Sequence, residues 1–342
     1  MNSILQWLFA SPKLNEFFMS GKYTEELNNK SKTNGKLASS YAELVTSAKK
    51  GSVNRSTISS FKSLIGRWNS QFMGYGQQDS QEFLRLALDE LSADLNRIKT
   101  KSKYKELNFD KETKDKQSQE WWDYSLSIED SFITDLFQGQ LMSVTECHSC
   151  GHESLAFDVF MDLSLSIPED KSRSLYSRTS SVTLEDCLKD FTSEEKFDAD
   201  WGYKCEGCKK GSKITKRMSI YRFPPLLVIH LKRFHFSSWR RDKINTSVKF
   251  PTTGLDLSNY SDNTKVDSSK SQYNLYGISH HSGMMSGGHY VADTNNVAGD
   301  GKWSHCDDSY ISSMLDPSNS GSSPYVLFYF RSDIAKKYSS KL

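Results

Sequence analysis

Two cysteine pairs constrain this chain more than any other feature of it. Cys147-His148-Ser149-Cys150 and Cys205-Glu206-Gly207-Cys208 each set two thiols on a tight turn, where both sulfurs can meet one ion at about 2.3 Å. Four thiolates around one ion make a closed tetrahedral site, and soft sulfur ligands favour zinc. Such a site leaves no position for water, so its expected role is structural. Residues 151–204 form a 54-residue spacer, longer than that of an ordinary zinc ribbon, so the ion is expected to clasp two separate hairpins. Free thiols or a redox pair are the alternative. His148 and His152 are possible substitute ligands and are expected to be bystanders. Three disulfides are disfavoured, because a chain of 342 residues can build a core without such staples.

The texture of the chain changes near Phe137. Before it, apolar residues recur at helical spacing: Ile4, Leu5, Leu8 and Phe9, then Tyr41, Leu44, Val45 and Ala48. The strongest pattern predicts a helix from about Ser80 to Lys99, with Leu84, Leu88, Leu91, Leu95 and Ile98 as its apolar stripe. Arg85, Asp89, Asp94 and Arg97 fall on its polar face, and Asp79 with Glu82 reads as a capping box. After Phe137 come short strand-like runs, including the alternation Phe157, Val159, Met161, Leu163, Leu165. Leu226–Phe234 and Tyr325–Phe330 are continuously apolar, which predicts central strands covered on both faces. Asp170–Ser181 and Ser258–Ser271 are polar and aperiodic and are expected to be exposed loops. The fold class is therefore α+β, in one large domain with subdomains or in two domains.

A net charge of +2 supplies no global field that would favour nucleic acid, and no basic-aromatic stripe is present. The longest apolar runs fall far short of the roughly 20 residues of a membrane span. The first basic residue, Lys13, comes after the apolar stretch Ile4–Ala10, the reverse of a secretory signal, so a cytoplasmic or nuclear location is expected.

Near the C-terminus, Gly287-Gly288-His289-Tyr290 opens one strand, and Trp303-Ser304-His305-Cys306-Asp307-Asp308 forms its expected partner after a turn at Asn295–Lys302. This hairpin brings His289 beside Asp307. A carboxylate holding the tautomer of an imidazole is two-thirds of a nucleophilic triad. A His in a hairpin more often serves structure than catalysis, and the third member is missing. Cys187 sits in the amphipathic Leu184-Glu185-Asp186-Cys187-Leu188, where a buried thiol is expected, and Cys306 points to the strand face opposite Asp307.

As a set, these blocks resemble the ubiquitin-specific proteases. Gly76-Gln77-Gln78-Asp79-Ser80-Gln81-Glu82-Phe83, the paired C-x-x-C, Leu226–Phe234, Gly287-Gly288-His289-Tyr290, Asp307-Asp308-Ser309 and Tyr325–Tyr329 match in order and spacing from Met1 to about Phe330. The resemblance implies a papain-like right-hand architecture: a helical thumb over about 1–130, zinc-bearing β fingers over about 137–225, and a β-sheet palm over about 226–335. It implies a cysteine-type deubiquitinase acting on ubiquitin and ubiquitinated proteins as a monomer, with zinc as structural cofactor. His289 would be the general base, Asp307 its orienting partner, and Asp308 an aid to the oxyanion site. Gln78, Asp79, His281, Gly288 and Tyr290 would contact the ubiquitin tail, with the loops His235–Ser247 and His281–Gly288 flanking its channel. One block departs. The family's nucleophile sits in a motif resembling Asn-x-Gly-Asn-Thr-Cys-Tyr/Phe-Met-Asn-Ser, and Met1-Asn2-Ser3 matches only the portion of that motif after the cysteine. The catalytic Cys and oxyanion Asn are thus expected upstream of these residues, and the chain as given is expected to be inactive. The alternative is a catalytically dead ubiquitin-binding module of the same fold.

Overall fold

The periodicity of the first 130 residues folds as helices. In a computed structural model that describes residues 1–74, 76–100, 112–169, 181–236, 241–284, 287–297 and 301–334, the chain begins with α1 (Asn2–Ala10), α2 (Pro12–Met19), α3 (Tyr23–Glu26), α4 (Lys36–Lys49) and α5 (Arg55–Trp68). Then come α6 (Ser80–Asp94), α7 (Lys114–Ile128) and α8 (Phe132–Phe137). Local sequence marks the starts: the Asn54 side chain accepts from the backbone of Thr57 at 2.9 Å, and Ser131 and Thr134 form a reciprocal capping box. Among the described residues no helix is long and apolar enough to cross a membrane.

The second half is mostly strand: β1 (Gly139–Cys147), β2 (Glu153–Phe160), β3 (Leu163–Leu165), β4 (Ser181–Thr183), then helix α9 (Leu184–Phe191) and β5 (Glu195–Phe197). Next come β6 (Ile214–Arg222), β7 (Leu226–Leu231), β8 (Phe234–Phe236), β9 (Arg241–Lys243), β10 (Ser247–Lys249) and β11 (Leu255–Asp256). The last are β12 (Gln272–Met284), β13 (Gly287–Asn295), β14 (Trp303–Asp307), β15 (Tyr310–Met314), β16 (Ser320–Gly321) and β17 (Pro324–Arg331). An eight-stranded sheet runs β15-β14-β13-β12-β17-β7-β3, with β11 paired to β12, and a separate four-stranded sheet runs β2-β1-β6-β5.

The two apolar runs lie where continuous hydrophobicity requires. β17 and β7 are antiparallel neighbours inside the large sheet. Val326 and Phe328 pack into the core shared with the helices, while Leu327 and Tyr329 pack against Leu184, Cys187 and Leu188 of α9 on the other side. On the helical side the Trp7 indole stacks on Phe328 with centroids 3.7 Å apart, which fastens α1 to the sheet.

Two expectations are corrected. The helix after Asp79 ends at Asp94 rather than Lys99, and Asp94 is buried rather than solvated. Its carboxylate accepts from the backbone N–H of Leu37 at 2.9 Å and of Ala38 at 3.1 Å, capping α4, whose own N-cap Gly35 has no side chain to do so. The Phe157–Leu165 alternation is not one strand: β2 leaves Val159 exposed, and Leu163 and Leu165 belong to β3 in the other sheet. Ser258–Ser271 is the expected loop, exposed or half-exposed up to Lys270; it holds two 3-10 turns and ends with a buried Ser271 whose hydroxyl donates to Asp256. Of the loop expected at Asp170–Ser181, only Ser181 is described, where it opens β4. Residues 237–240, 285–286 and 298–300, which fall in the other expected loops and turn, also lie outside the described residues.

Candidate active site

The two cysteine knuckles fold alike. Cys147 and Cys205 each accept from the N–H four residues on, that of Gly151 or Lys209, at 2.8 Å. Each also donates its own N–H to the carbonyl five residues on, that of His152 or Lys210, at 3.0 Å. The fifth residue of each turn has positive φ, +71° at Gly151 and +60° at Lys209. The first knuckle is the turn between β1 and β2, and the second closes through a Lys204–Gly211 bridge ahead of β6. Cys147 Sγ lies 4.0 Å from Cys208 Sγ, and Cys150 Sγ 3.7 Å from Cys205 Sγ. A tetrahedron with bonds of about 2.3 Å has edges of about 3.8 Å, so the four sulfurs fit zinc. His148 bonds Thr215 at 2.7 Å, outside the cluster.

The second assembly lies in the large sheet, on β13 and β14 next to its β15 edge. Strands β13 and β14 pair antiparallel with Ala292 opposite Cys306, and just past this pair His289 Nε2 meets Asp307 Oδ1 at 2.6 Å. Both side chains are about half exposed. Asp308, in a left-handed conformation at φ +48°, accepts from Asn2 Nδ2 at 3.2 Å, which joins the start of α1 to the tip of the β14–β15 hairpin. A cavity of about 520 Å³ opens between them, walled by Met1, Asn2, Gln77, Gln78, Asp79, Gly288, His289, Tyr290 and Asp308.

Asp79 does two jobs on that wall. One oxygen caps α6, accepting from the Gln81 N–H at 2.7 Å, and the other accepts the Tyr325 hydroxyl at 2.5 Å. Burial and the neighbouring Asp79 push both the Tyr325 and Tyr290 phenols far above the ordinary range, so both stay neutral. The expected partner in a capping box, Glu82, instead accepts from Gln71 at 2.9 Å. His281 is buried rather than on the cleft wall, its ring between Phe234 and Tyr290, with Nδ1 unpartnered. A Cβ at Gly288 would overlap that ring, so glycine is required there. Burial, with Lys243 nearby, lowers the His281 pKa to about 4.

Sequence reasoning passed over Gln77. Its amide oxygen accepts from the Gly288 N–H at 2.6 Å and its amide nitrogen donates to the Gly288 carbonyl, so the side chain pairs with that peptide as a neighbouring strand would. The only available signal was its adjacency to Gln78-Asp79. Neither spare cysteine approaches His289. Cys187 is buried on α9, and Cys306 faces Thr294 on a different cavity, near Phe9 and Gln6.

Comparison with known proteins fits this geometry. The family model described as ubiquitin carboxyl-terminal hydrolase matches residues 1–329. The chain is 39% identical over 331 residues to ubiquitin carboxyl-terminal hydrolase 2 of Homo sapiens, covering 96% of this chain and 53% of that protein. It is 30% identical over 350 residues to ubiquitin carboxyl-terminal hydrolase 21 of Homo sapiens, covering 96% and 59%. It therefore spans about half the length of the first of these relatives. Among solved structures, the SAGA Ubp8/Sgf11/Sus1/Sgf73 DUB module bound to ubiquitin aldehyde matches with a TM-score of 0.69 at 24% identity, covering 96% of this chain and 66% of the other. That likeness speaks to the fold, the papain-like arrangement of ubiquitin-specific proteases. Matched across nearly its whole length, the chain belongs to the ubiquitin carboxyl-terminal hydrolase family, in its ubiquitin-specific protease branch.

Proposed function

We propose that this domain hydrolyses isopeptide and peptide bonds after the terminal glycine of ubiquitin, with His289 as general base and Asp307 as its orienting partner. The observation that carries this reading is the 2.6 Å bond between the two, on a cleft that also receives the start of α1. With Nε2–H committed to the carboxylate, Nδ1 is the basic nitrogen. It takes the proton of a thiol while the sulfur attacks the carbonyl carbon. The tetrahedral oxyanion then collapses, the C–N bond breaks, and the imidazolium returns the proton to the leaving amine. Water, deprotonated by the same nitrogen, cleaves the thioester and restores the thiol. Asp308 aids the oxyanion through water. Gln78, Asp79, Gly288 and Tyr290 hold the basic ubiquitin tail along the cleft, and His281 acts from beneath Gly288. The four-cysteine zinc keeps the fingers in shape and takes no part in the chemistry.

We infer that the nucleophilic Cys and the oxyanion Asn belong to the block that precedes Met1 in the family pattern. A thiol at the front of α1 would face His289, and a helix N-terminus lowers a thiol pKa. All six cysteines lie away from the cleft, which supports a second statement: the 342 residues alone bind ubiquitin without turnover. The test is a fluorogenic ubiquitin substrate, offered to this chain and to a form extended with the Asn-Thr-Cys block. Turnover is expected only in the extended form, and His289→Ala should lower it by on the order of 10³ or more. Turnover by the chain alone that vanishes in Cys306→Ala would overturn the assignment.

A further inference from the structure

A second histidine–aspartate assembly lies behind the first. Asp293, only 4% exposed, accepts from His280 Nε2 at 2.9 Å through one oxygen and from His305 Nδ1 at 2.6 Å through the other. His280 Nδ1 in turn bonds the Ser323 hydroxyl at 3.1 Å. One face of the sheet is thereby linked from the approach to β17 through β12 and β13 to β14. A carboxylate buried this deeply is costly unless both oxygens are hydrogen-bonded, and here both are. Burial acts to raise its pKa, and the two imidazole donors outweigh that and hold it below the ordinary carboxylate value.

The spacing relates this network to the cleft. Side chains alternate along a strand, so His289 and Asp293 share one face of β13, and His305 and Asp307 share the same face of β14. The two strands thus carry reciprocal pairs: β13 supplies the imidazole of the outer pair and the carboxylate of the inner, and β14 supplies the converse. The inner pair sits directly opposed within the backbone ladder, Asp293 against His305, whereas the ladder stops at Ala292–Cys306, short of His289. The outer pair therefore depends for its spacing on how firmly the strands are held just behind it. We propose that Asp293, by bridging His280 and His305, is the positioning residue that sets the His289–Asp307 pair. A misplacement of about 1 Å at such a pair costs on the order of 10²-fold in rate, so a tie this close bears on catalysis without touching substrate.

The inference rests on the proposed role of His289 and Asp307, and the test separates the two. Imidazole 15N shifts report the tautomer of each histidine in the folded 342-residue chain. Wild-type His289 is expected as the Nε2–H tautomer alone. Asp293→Asn presents an amide N–H to one of its imidazoles and breaks that bond; His289 should then become a mixture of tautomers, with ubiquitin affinity within about twofold of wild type. His305→Leu, at a partly exposed position, should do the same. His305→Asn, whose amide nitrogen can stand where Nδ1 stood, should restore the single tautomer. If Asp293→Asn does not fold, the His305 pair decides the matter. An unchanged His289 tautomer in folded Asp293→Asn or His305→Leu overturns this inference and leaves the function intact. A wild-type His289 already in mixed tautomers overturns the functional reading and this inference with it.

Discussion

The hydroxyl of Tyr325 reaches across 246 residues of chain to donate to Asp79 at 2.5 Å, so the carboxylate that starts helix α6 also fastens it to strand β17. Removing it takes away a helix cap, worth about 1 kcal/mol, and leaves a buried hydroxyl unpaired, worth about 1–3 kcal/mol. Asp79→Ala should therefore destabilise the chain by about 2–4 kcal/mol in urea unfolding, and Asp79→Asn, which can still accept at the cap, by less. Equal losses in the two variants would contradict this.

Asp94 holds the start of α4 from a distance. It accepts from the backbone of Leu37 and Ala38, and from the hydroxyls of Ser31 and Thr33. Gly35, the N-cap, has no side chain, and the one local substitute is Thr33 Oγ1, which reaches the Leu37 N–H only at 3.4 Å. Asp94→Ala is expected to cost about 2–4 kcal/mol, as for a buried cap whose partners stay unsatisfied. Hydrogen exchange should show the loss first at Leu37 and Ala38, and uniform protection there in the variant would argue against the role.

The buried His281 sets a pH dependence. Its folded pKa of about 4 lies below the ordinary 6.5, so between those values the unfolded chain binds more protons than the folded one. Its contribution to stability is complete above about pH 6.5 and is lost as pH falls toward about 4. Urea midpoints should fall on acidification through that window, and His281→Gln should flatten that part of the profile while lowering stability throughout. An equally steep profile in the variant would assign the effect to other groups.

Much of this was legible in the sequence because it rests on local chemistry. The Asp79 cap, the two thiol knuckles, the central β7 and β17 and the His289–Asp307 hairpin are all dictated by spacing along one or two elements. The features that stayed hidden depend on partners far away in the chain. The leucine stripe runs past Asp94, but the helix stops there because the carbonyls of Ala93 and Asp94 accept from Asn28 and the Arg97 N–H donates to the Asp130 carbonyl instead of continuing the ladder. Gln77 looks like any polar residue before a helix until Gly288 is brought beside it. His280 and His305 carry no motif, since only the pairing of β12, β13 and β14 aligns them with Asp293.

The thiolate cluster predicts metal content. The purified chain should carry a single zinc ion by elemental analysis, and Cys147→Ser or Cys205→Ser should lose it. With the clasp between the β1–β2 turn and the segment before β6 gone, the fingers should lose exchange protection. A well-folded chain that contains no metal would remove the assignment.

The central claim is that the cleft between α1 and the β13–β14 hairpin receives the tail of ubiquitin. Its most direct test is a titration of the isotopically labelled 342-residue chain with ubiquitin, monitored at Gln78, Gly288 and His289. Saturable shifts at these positions, abolished when ubiquitin lacks its C-terminal glycines, are the predicted result. Saturable binding that leaves all three unmoved, or no binding at all, would contradict the account.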